Sequence, residues 1–396
     1  MRRIFGLVPN VFFLGLVSLL NDFSAEMIFA VMPVFLTTVL GAPAVFLGFL
    51  EGFADALASV LRIFSGWYSD KIARRKILAV TGYTLSTLTR GALAVVSNFW
   101  QVFVLRAVDR VGKGVREAPR DALLASSVEP REVGISFGYH RAMDTVGGIM
   151  GPLAAIFLLP LLGGNFRSLF LVSFGLGFLT LLAFFFVREI RGVRSAPAGG
   201  AAQPPFAFSL KHFSPRFKKY LLSVFLFGLG VMPISLMLLS GRGLGLGQGT
   251  IPAMYLVYSV SFVLFAVPFG KLADRIGEVK VIIGGFLVAI LAYFVFASMS
   301  TLAGVTIGFV VFGIYGAMTD GIHRALTSKL VPAEHLATGQ GWINGVVGFS
   351  SLFAGIAGGL LWDTFGSGVA FAYGGACMLF GLFMFLFTFG RGLKAA

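Results

Sequence analysis

Long apolar runs recur from one end of the chain to the other, and no other feature restricts its fold so tightly. A helix that crosses a bilayer needs about 20 mostly apolar residues. Twelve segments satisfy this as expected spans: 10–38, 44–66, 77–97, 99–127, 138–161, 168–187, 218–240, 250–270, 280–299, 301–330, 340–362 and 368–390. Several exceed the minimum, which tilt or extension beyond the bilayer accommodates. A closed barrel would need short strands of alternating polarity, and these runs do not alternate. The expected fold class is therefore an all-α membrane protein. Composition agrees: 57% of the residues are hydrophobic and only 12% charged, whereas a water-exposed surface calls for roughly a quarter.

Lysine and arginine orient the spans, because they concentrate in cytoplasmic loops. One side receives Arg2, Arg3, Lys71, Arg74, Arg75, Lys76, Arg131, Arg188, Arg191, Arg194, Lys211, Arg216, Lys218, Lys219, Lys271, Arg275, Lys280, Arg391 and Lys394, and the other receives Arg167 and Arg242. Both termini are thus expected in the cytoplasm. The same asymmetry absorbs most of the +14 net charge, so no nucleic-acid partner is implied. Cys377 is the sole cysteine, and His140, His212, His323 and His335 show no ligand spacing. Neither a metal site nor a cofactor is expected. Met1-Arg2-Arg3 leads into an apolar run without a small-residue cleavage site, which reads as a retained first span.

Residues 188–217 interrupt the pattern with Arg-Ser-Ala-Pro-Ala-Gly-Gly-Ala-Ala-Gln-Pro-Pro, a composition that builds no core. The expected organisation is a six-helix bundle over 1–187, a cytoplasmic linker over 188–217 and a second six-helix bundle over 218–396. The halves look related. Gly66-Trp67-Tyr68-Ser69-Asp70-Lys71-Ile72-Ala73-Arg74-Arg75-Lys76 follows the second span, and Gly270-Lys271-Leu272-Ala273-Asp274-Arg275-Ile276-Gly277-Glu278-Val279-Lys280 follows the eighth. Gly66 and Gly270 lie 204 residues apart, as do Asp70 and Asp274.

These segments resemble the loop signature of the major facilitator superfamily, Gly-x-x-x-Asp-Arg-x-Gly-Arg-Arg-Lys. They depart from it at Lys71 and Ala73, and again at Glu278 and Val279. A tight turn would use the glycines, and an aspartate can accept hydrogen bonds from a helix N-terminus. The resemblance implies a gating loop around Gly66, Asp70, Arg74 and Arg75, with a weaker copy at Gly270, Asp274 and Arg275. The fifth span carries Gly138, Gly147 and Gly151-Pro152, similar in part to an antiporter signature. Small residues let helices approach closely, and proline kinks them.

Ionisable groups at membrane depth are costly and usually functional. Asp22 and Glu26, beside Asn21 and Ser24, stand four apart on one face of the first span, as do Glu51 and Asp55 on the second. The fourth span carries Arg106, Asp109, Arg110, Lys113, Arg116, Glu117, Arg120 and Asp121. Spacings of three and four set most of these on one stripe about 21 Å long, which must face a water-filled cavity or partner charges. The fifth span adds His140, Arg141 and Asp144, and the tenth adds Asp320, His323 and Arg324. Met232, Met237, Tyr255, Tyr258 and Tyr315 suit either a substrate wall or plain packing.

The phrases Asn21-Asp22-Phe23-Ser24-Ala25-Glu26-Met27 and Asp109-Arg110-Val111-Gly112-Lys113 resemble a prokaryotic, proton-coupled, antiporter-like subgroup of facilitators. The resemblance implies a monomeric secondary transporter in a bacterial inner membrane that moves a small solute by alternating access. Asp22, Glu26 and Asp144 are the candidates for proton coupling. Asn21, Glu51, Asp55, Arg106, Asp109, Arg110, Lys113, His140, Asp320, His323 and Arg324 are the candidates for the cavity. Export of an organic anion, an anionic chelate or a drug-like compound is the leading expectation, with a proton-coupled importer as the alternative. A structural ion-pair network is the competing account of the charges. A membrane enzyme or sensor is a remote third reading, because only His323 and Asp320 come near a catalytic pair.

Overall fold

The computed structural model describes the chain apart from residues 1–2, 6, 73–74, 130, 190–209, 211–212, 243, 245–248, 300, 333–335 and 394–396. The side chains of 62–72, 336–337 and 391–393 also lie outside the description. Everything regular among the described residues is helical. Helix α1 (Pro9–Val34) runs on through a wider turn at Phe35–Val39 and is followed by α2 (Ala44–Ile72), α3 (Arg75–Ala92), α4 (Phe99–Ser126), α5 (Val133–Leu161) and α6 (Phe166–Phe184). The second half holds α7 (Pro215–Gly228), the single turn α8 (Ile234–Met237), α9 (Thr250–Ile276), α10 (Glu278–Ser298), α11 (Leu302–Leu330), α12 (Leu336–Phe365) and α13 (Ser367–Leu393).

Helix starts follow local chemistry. The Asn98 side chain accepts from the Gln101 N–H at 3.0 Å, and Asn165 accepts from Arg167 and Ser168. Ser214 caps α7 just before a proline in its first turn. Each satisfies N–H groups that a helix leaves without partners.

Nine helices among the described residues are long and apolar enough to cross a membrane. Helices α3, α4 and α7 are not among them. Arg75, Lys76 and Arg90 interrupt α3, eight charged residues lie on α4, and α7 stops after 14 residues. The expected continuous span at 218–240 is therefore corrected to a broken one. Pro233 lacks an N–H and would clash with the carbonyl four residues earlier, so the helix unwinds over 229–233. The Met232 N–H donates instead to the Tyr293 hydroxyl at 2.7 Å.

The chain divides into two compact units, Met1–Val31 with Leu57–Ala207 and Met32–Ala56 with Phe208–Ala396, and the division falls near the end of α1 and again inside α2. The expected linker lies mostly outside the described residues. In the first unit, one end is tied by polar contacts. Arg3 pairs with Glu132 at 2.6 Å. Asn10 donates to Ser127 Oγ at 3.1 Å and to the Arg188 carbonyl at 2.9 Å. The Glu189 carboxylate accepts from the Arg75 and Lys76 N–H groups. At the opposite end Arg167 donates to the Val96 carbonyl at 3.0 Å. The residues grouped by the charge pattern thus share an end within this unit.

The second unit contains the first half of α2, which lies backbone to backbone on α12. Gly48 and Gly355 face each other so closely that a side-chain carbon on either would enter the other's carbonyl group. At the end of this contact the Asp363 carboxylate accepts from the Ala44 and Val45 N–H groups at 2.9 and 2.8 Å, capping α2.

Candidate functional site

The first unit gathers the expected coupling acids against α5. A methyl group at Gly151 would sit 2.6 Å from Glu26 Cβ, and one at Gly147 would sit 3.2 Å from Asp22 Cβ. The two glycines therefore seat α5 on the face of α1 that carries Asp22 and Glu26. Gly138 has nothing within 4 Å, so close packing asks for only part of the signature. Pro152, inside α5, is buried.

Asp144 projects from α5 into this seam. Ser18 donates to it, His140 Nδ1 lies 3.6 Å from its carboxylate, and Arg141 lies 3.8 Å away. Ser18 stands one turn before Asp22 on the same face of α1. The charges acting on Asp22 are those of Asp144, Lys113 and Arg116. Two acids thus act on one another across the α1–α5 seam, with cations of α4 in reach.

The α4 stripe is substantially paired with itself and with α3. Arg106 reaches Asp109 at 3.9 Å and lies over the Phe29 ring at 5.7 Å. Lys113 reaches Glu117 at 3.9 Å, and Arg120 reaches Asp121 at 2.8 Å. Arg116 donates to Ser86 and covers the Tyr83 ring at 4.5 Å. Arg110 occupies the same helix, half-buried. Such pairing limits how much of the positive stripe is free for an anion.

Arg90 of α3 completes the cluster. It is 4% exposed, donating to Asn21 Oδ1 at 2.8 Å and to Ser24 Oγ at 2.9 Å. Asn21 in turn donates to Asp22 at 2.8 Å. Ser24 and Ser173 exchange hydrogen bonds, fastening α1 to α6. Helix α1 itself carries no base, but α3 and α4 supply Arg90, Lys113 and Arg116 to its polar face.

The other candidates lie in the second unit. Glu51 is buried, while Asp55 is exposed and accepts from Ser351 at 3.3 Å. The tenth-span triplet separates. Asp320 pairs with Arg324 at 3.5 Å, whereas His323 Nδ1 bonds the Tyr220 hydroxyl at 2.7 Å inside an aromatic core. His323 thus turns its Nδ1 to Tyr220 and not to Asp320, although both stand on one turn of α11. The core stacks Phe227 on Phe286 at 3.6 Å and sets Phe385 edge-on to Phe286 at 5.4 Å. Tyr255, Tyr258 and Phe262 form a ladder along α9. Met232 and Met237 are buried, so packing accounts for them.

Gly66, Asp70 and Arg74 belong to the expected gating loop, but their side chains lie outside the described residues. Arg75 is buried and donates to the Ala122 carbonyl at 3.3 Å. The backbone is helical at Gly66 and Gly270, which corrects the expected glycine turns. In the second copy the turn falls at Gly277, whose φ of 93° favours glycine. Asp274 and Arg275 are exposed on the last turns of α9 and cap no helix among the described residues. No cluster of metal-ligand residues occurs among the described residues.

Comparison with known proteins decides the family. The sequence model of the Major Facilitator Superfamily matches residues 14–255 and 220–394. The chain belongs to the Major Facilitator Superfamily. An uncharacterized MFS-type transporter of Methanocaldococcus jannaschii is 30% identical over 387 residues, covering 96% of this chain and 95% of that one. The multi-drug resistance efflux pump PmrA of Streptococcus pneumoniae is 25% identical over 368 residues, covering 90% and 88%. A variant of the nucleoside transporter NupG shares the fold with a TM-score of 0.83 at 16% identity, covering 96% and 99%. This facilitator is a multi-pass membrane transporter and not an enzyme.

Sequence reasoning missed Arg90 in this facilitator. Its span offers no charged neighbour at helical spacing, so it stood outside every pattern that drew attention to α1, α4 and α5. The signal available was its depth, near the far end of α3 and well away from the basic loop.

Proposed function

We propose that this facilitator exports a drug-like organic compound in exchange for protons, by alternating access. The observation that carries the reading is the Asp22–Asp144 pair, two acids on the α1 and α5 faces that the glycine seam brings together, each within reach of the other's charge. Like charges at short range favour one shared proton, and a group that gains and loses a proton at membrane depth can couple transport to a gradient. The name of the pneumococcal relative supports export, and the internal pairing of α4 makes a drug-like compound a better cargo than a strongly anionic one. We assign Glu26 to the same coupling face, and Asn21, Arg106, Asp109, Arg110 and Lys113 to the cavity wall. The proposal includes twelve spans, cytoplasmic termini, a bacterial-type inner membrane and a monomer.

The test is ethidium export from proteoliposomes under an imposed pH gradient. Export should rise with the gradient and disappear in Asp22→Asn. Rates indifferent to the gradient and to Asp22→Asn combined with Glu26→Gln would remove proton coupling. Counterflow in both orientations separates export from import. Stabilisation of the purified protein by a panel of metabolites, siderophores and drugs identifies the cargo, because binding raises the melting temperature.

A further inference from the structure

The group in the first unit that most needs an explanation is His140. Its side chain is 4% exposed, its Nδ1 faces Asp144, and its Nε2 is buried with no hydrogen-bond partner among the described residues. A polar nitrogen left that way is costly.

Depth along the helices arranges the titratable groups in order. The start of α1, the end of α4 and the start of α5 share one end of the unit, as Asn10–Ser127 and Arg3–Glu132 show. At 1.5 Å per residue, Asp22 lies about 20 Å from that end and Asp144 about 17 Å. His140 lies about 10 Å from it and Asp121 about 8 Å. Asp121, with its side chain 45% exposed, marks the mouth.

We propose that His140 relays the coupling proton between the Asp22–Asp144 pair and the end of the unit marked by Asp121. This rests on the proton-coupled reading above. A proton leaves the Asp22 carboxyl group as its O–H bond breaks, and an O–H bond forms on Asp144. Asp144 then protonates His140 Nδ1, a transfer that needs the 3.6 Å contact to close by about half an ångström to hydrogen-bond range. The Nε2 proton departs when water enters from the Asp121 end and reaches the buried ring. One proton has moved, Asp22 is a carboxylate, and no electrons have changed hands. Rotation of the ring restores the starting tautomer.

The surroundings suit passage more than storage. Groups acting on His140 are Arg120 and Asp121 from α4, Asp22 from α1, and Arg141 beside it on α5. The arginines oppose a positive imidazole and the acids favour it. Asp144 is faced by Arg120, Asp121, Arg141 and Ser18. Asp22 is faced by Asp144, Lys113, Arg116 and Asn21.

The test needs no cargo, because the probe is the proton. Full-length protein in lipid nanodiscs is given a pH jump, and infrared spectroscopy follows the Asp22 carboxyl band, identified by its loss in Asp22→Asn. His140→Gln and His140→Asn each keep one amide near one ring nitrogen but cannot pass a proton across the ring. Both should slow equilibration at least tenfold while leaving its end point and the melting temperature unchanged. Asp121→Asn, near the surface, should slow it by a smaller factor. Wild-type rates in all three variants would overturn the relay and leave coupling intact. An Asp22 band that does not respond to the pH jump would instead overturn the coupling itself, and the relay with it.

Discussion

The two units solve the same packing problem with opposite chemistry. In the first, Arg90, Arg106, Arg116, His140, Asn21 and Ser24 are buried, and helices are joined by hydrogen bonds and ion pairs. In the second, Tyr220, Phe227, Phe286, Tyr293, Phe371, Phe385 and Phe389 fill the interior, and buried Glu278 is neutralised by Lys329 at 2.5 Å. Rings interlock and hold one arrangement, because packed aromatic cores resist small displacement. A polar network can exchange partners and protons at comparable energy. The polar unit is therefore the one that holds groups able to change charge, and the aromatic unit the one held by shape.

The comparison can be broken most directly at its acids. Asp22→Asn should reduce pH-gradient-driven export at least tenfold and leave counterflow in place. Glu278→Gln, at a buried carboxylate of the other unit, should leave driven export within about twofold. Equal losses would end the asymmetry. Next in size is the aromatic core. Phe286→Ala should lower stability by about 3–5 kcal/mol, read as a fall in melting temperature in detergent. Arg90→Leu should cost about 3 kcal/mol, since two hydrogen bonds to a charged donor are lost and Asn21 and Ser24 are left without it. If Arg90→Leu proved harmless, the first unit would be held by shape instead of by polar bonds. The smallest effect belongs to Asp363→Asn, which keeps a capping oxygen on α2 but removes its charge. About 0.3–1 kcal/mol is expected, measurable by hydrogen exchange at Ala44 and Val45.

Much of this was legible in the residues. Apolar run length located most helices to within a few positions, because a bilayer demands a fixed length of apolar chain. The Asp22–Glu26 face was readable from spacing, and Gly147 and Gly151 from their small size. What could not be read is whatever depends on a neighbour distant in sequence. Arg90 needs Asn21 beside it, His323 needs Tyr220, and Asp363 needs the start of α2, and no periodicity links those positions. The break in α7 is a different case. Pro233 announced it, but the hydropathy of 218–240 is high on both sides and hid the proline. The turn at Gly277 was hidden in the same way, because the glycines the two copies share are Gly66 and Gly270, while Ala73 stands opposite Gly277.

The facing pair Gly48 and Gly355 carries an evolutionary consequence. A side-chain carbon at either would run into the other's backbone, so neither position can drift while α2 and α12 keep their spacing. A population acquiring alanine at one site would not recover by acquiring it at the other, since the second methyl group adds to the crowding. Related chains that diverge in cargo and coupling should therefore still keep both small, or lose both together in one lineage that has respaced α2 and α12.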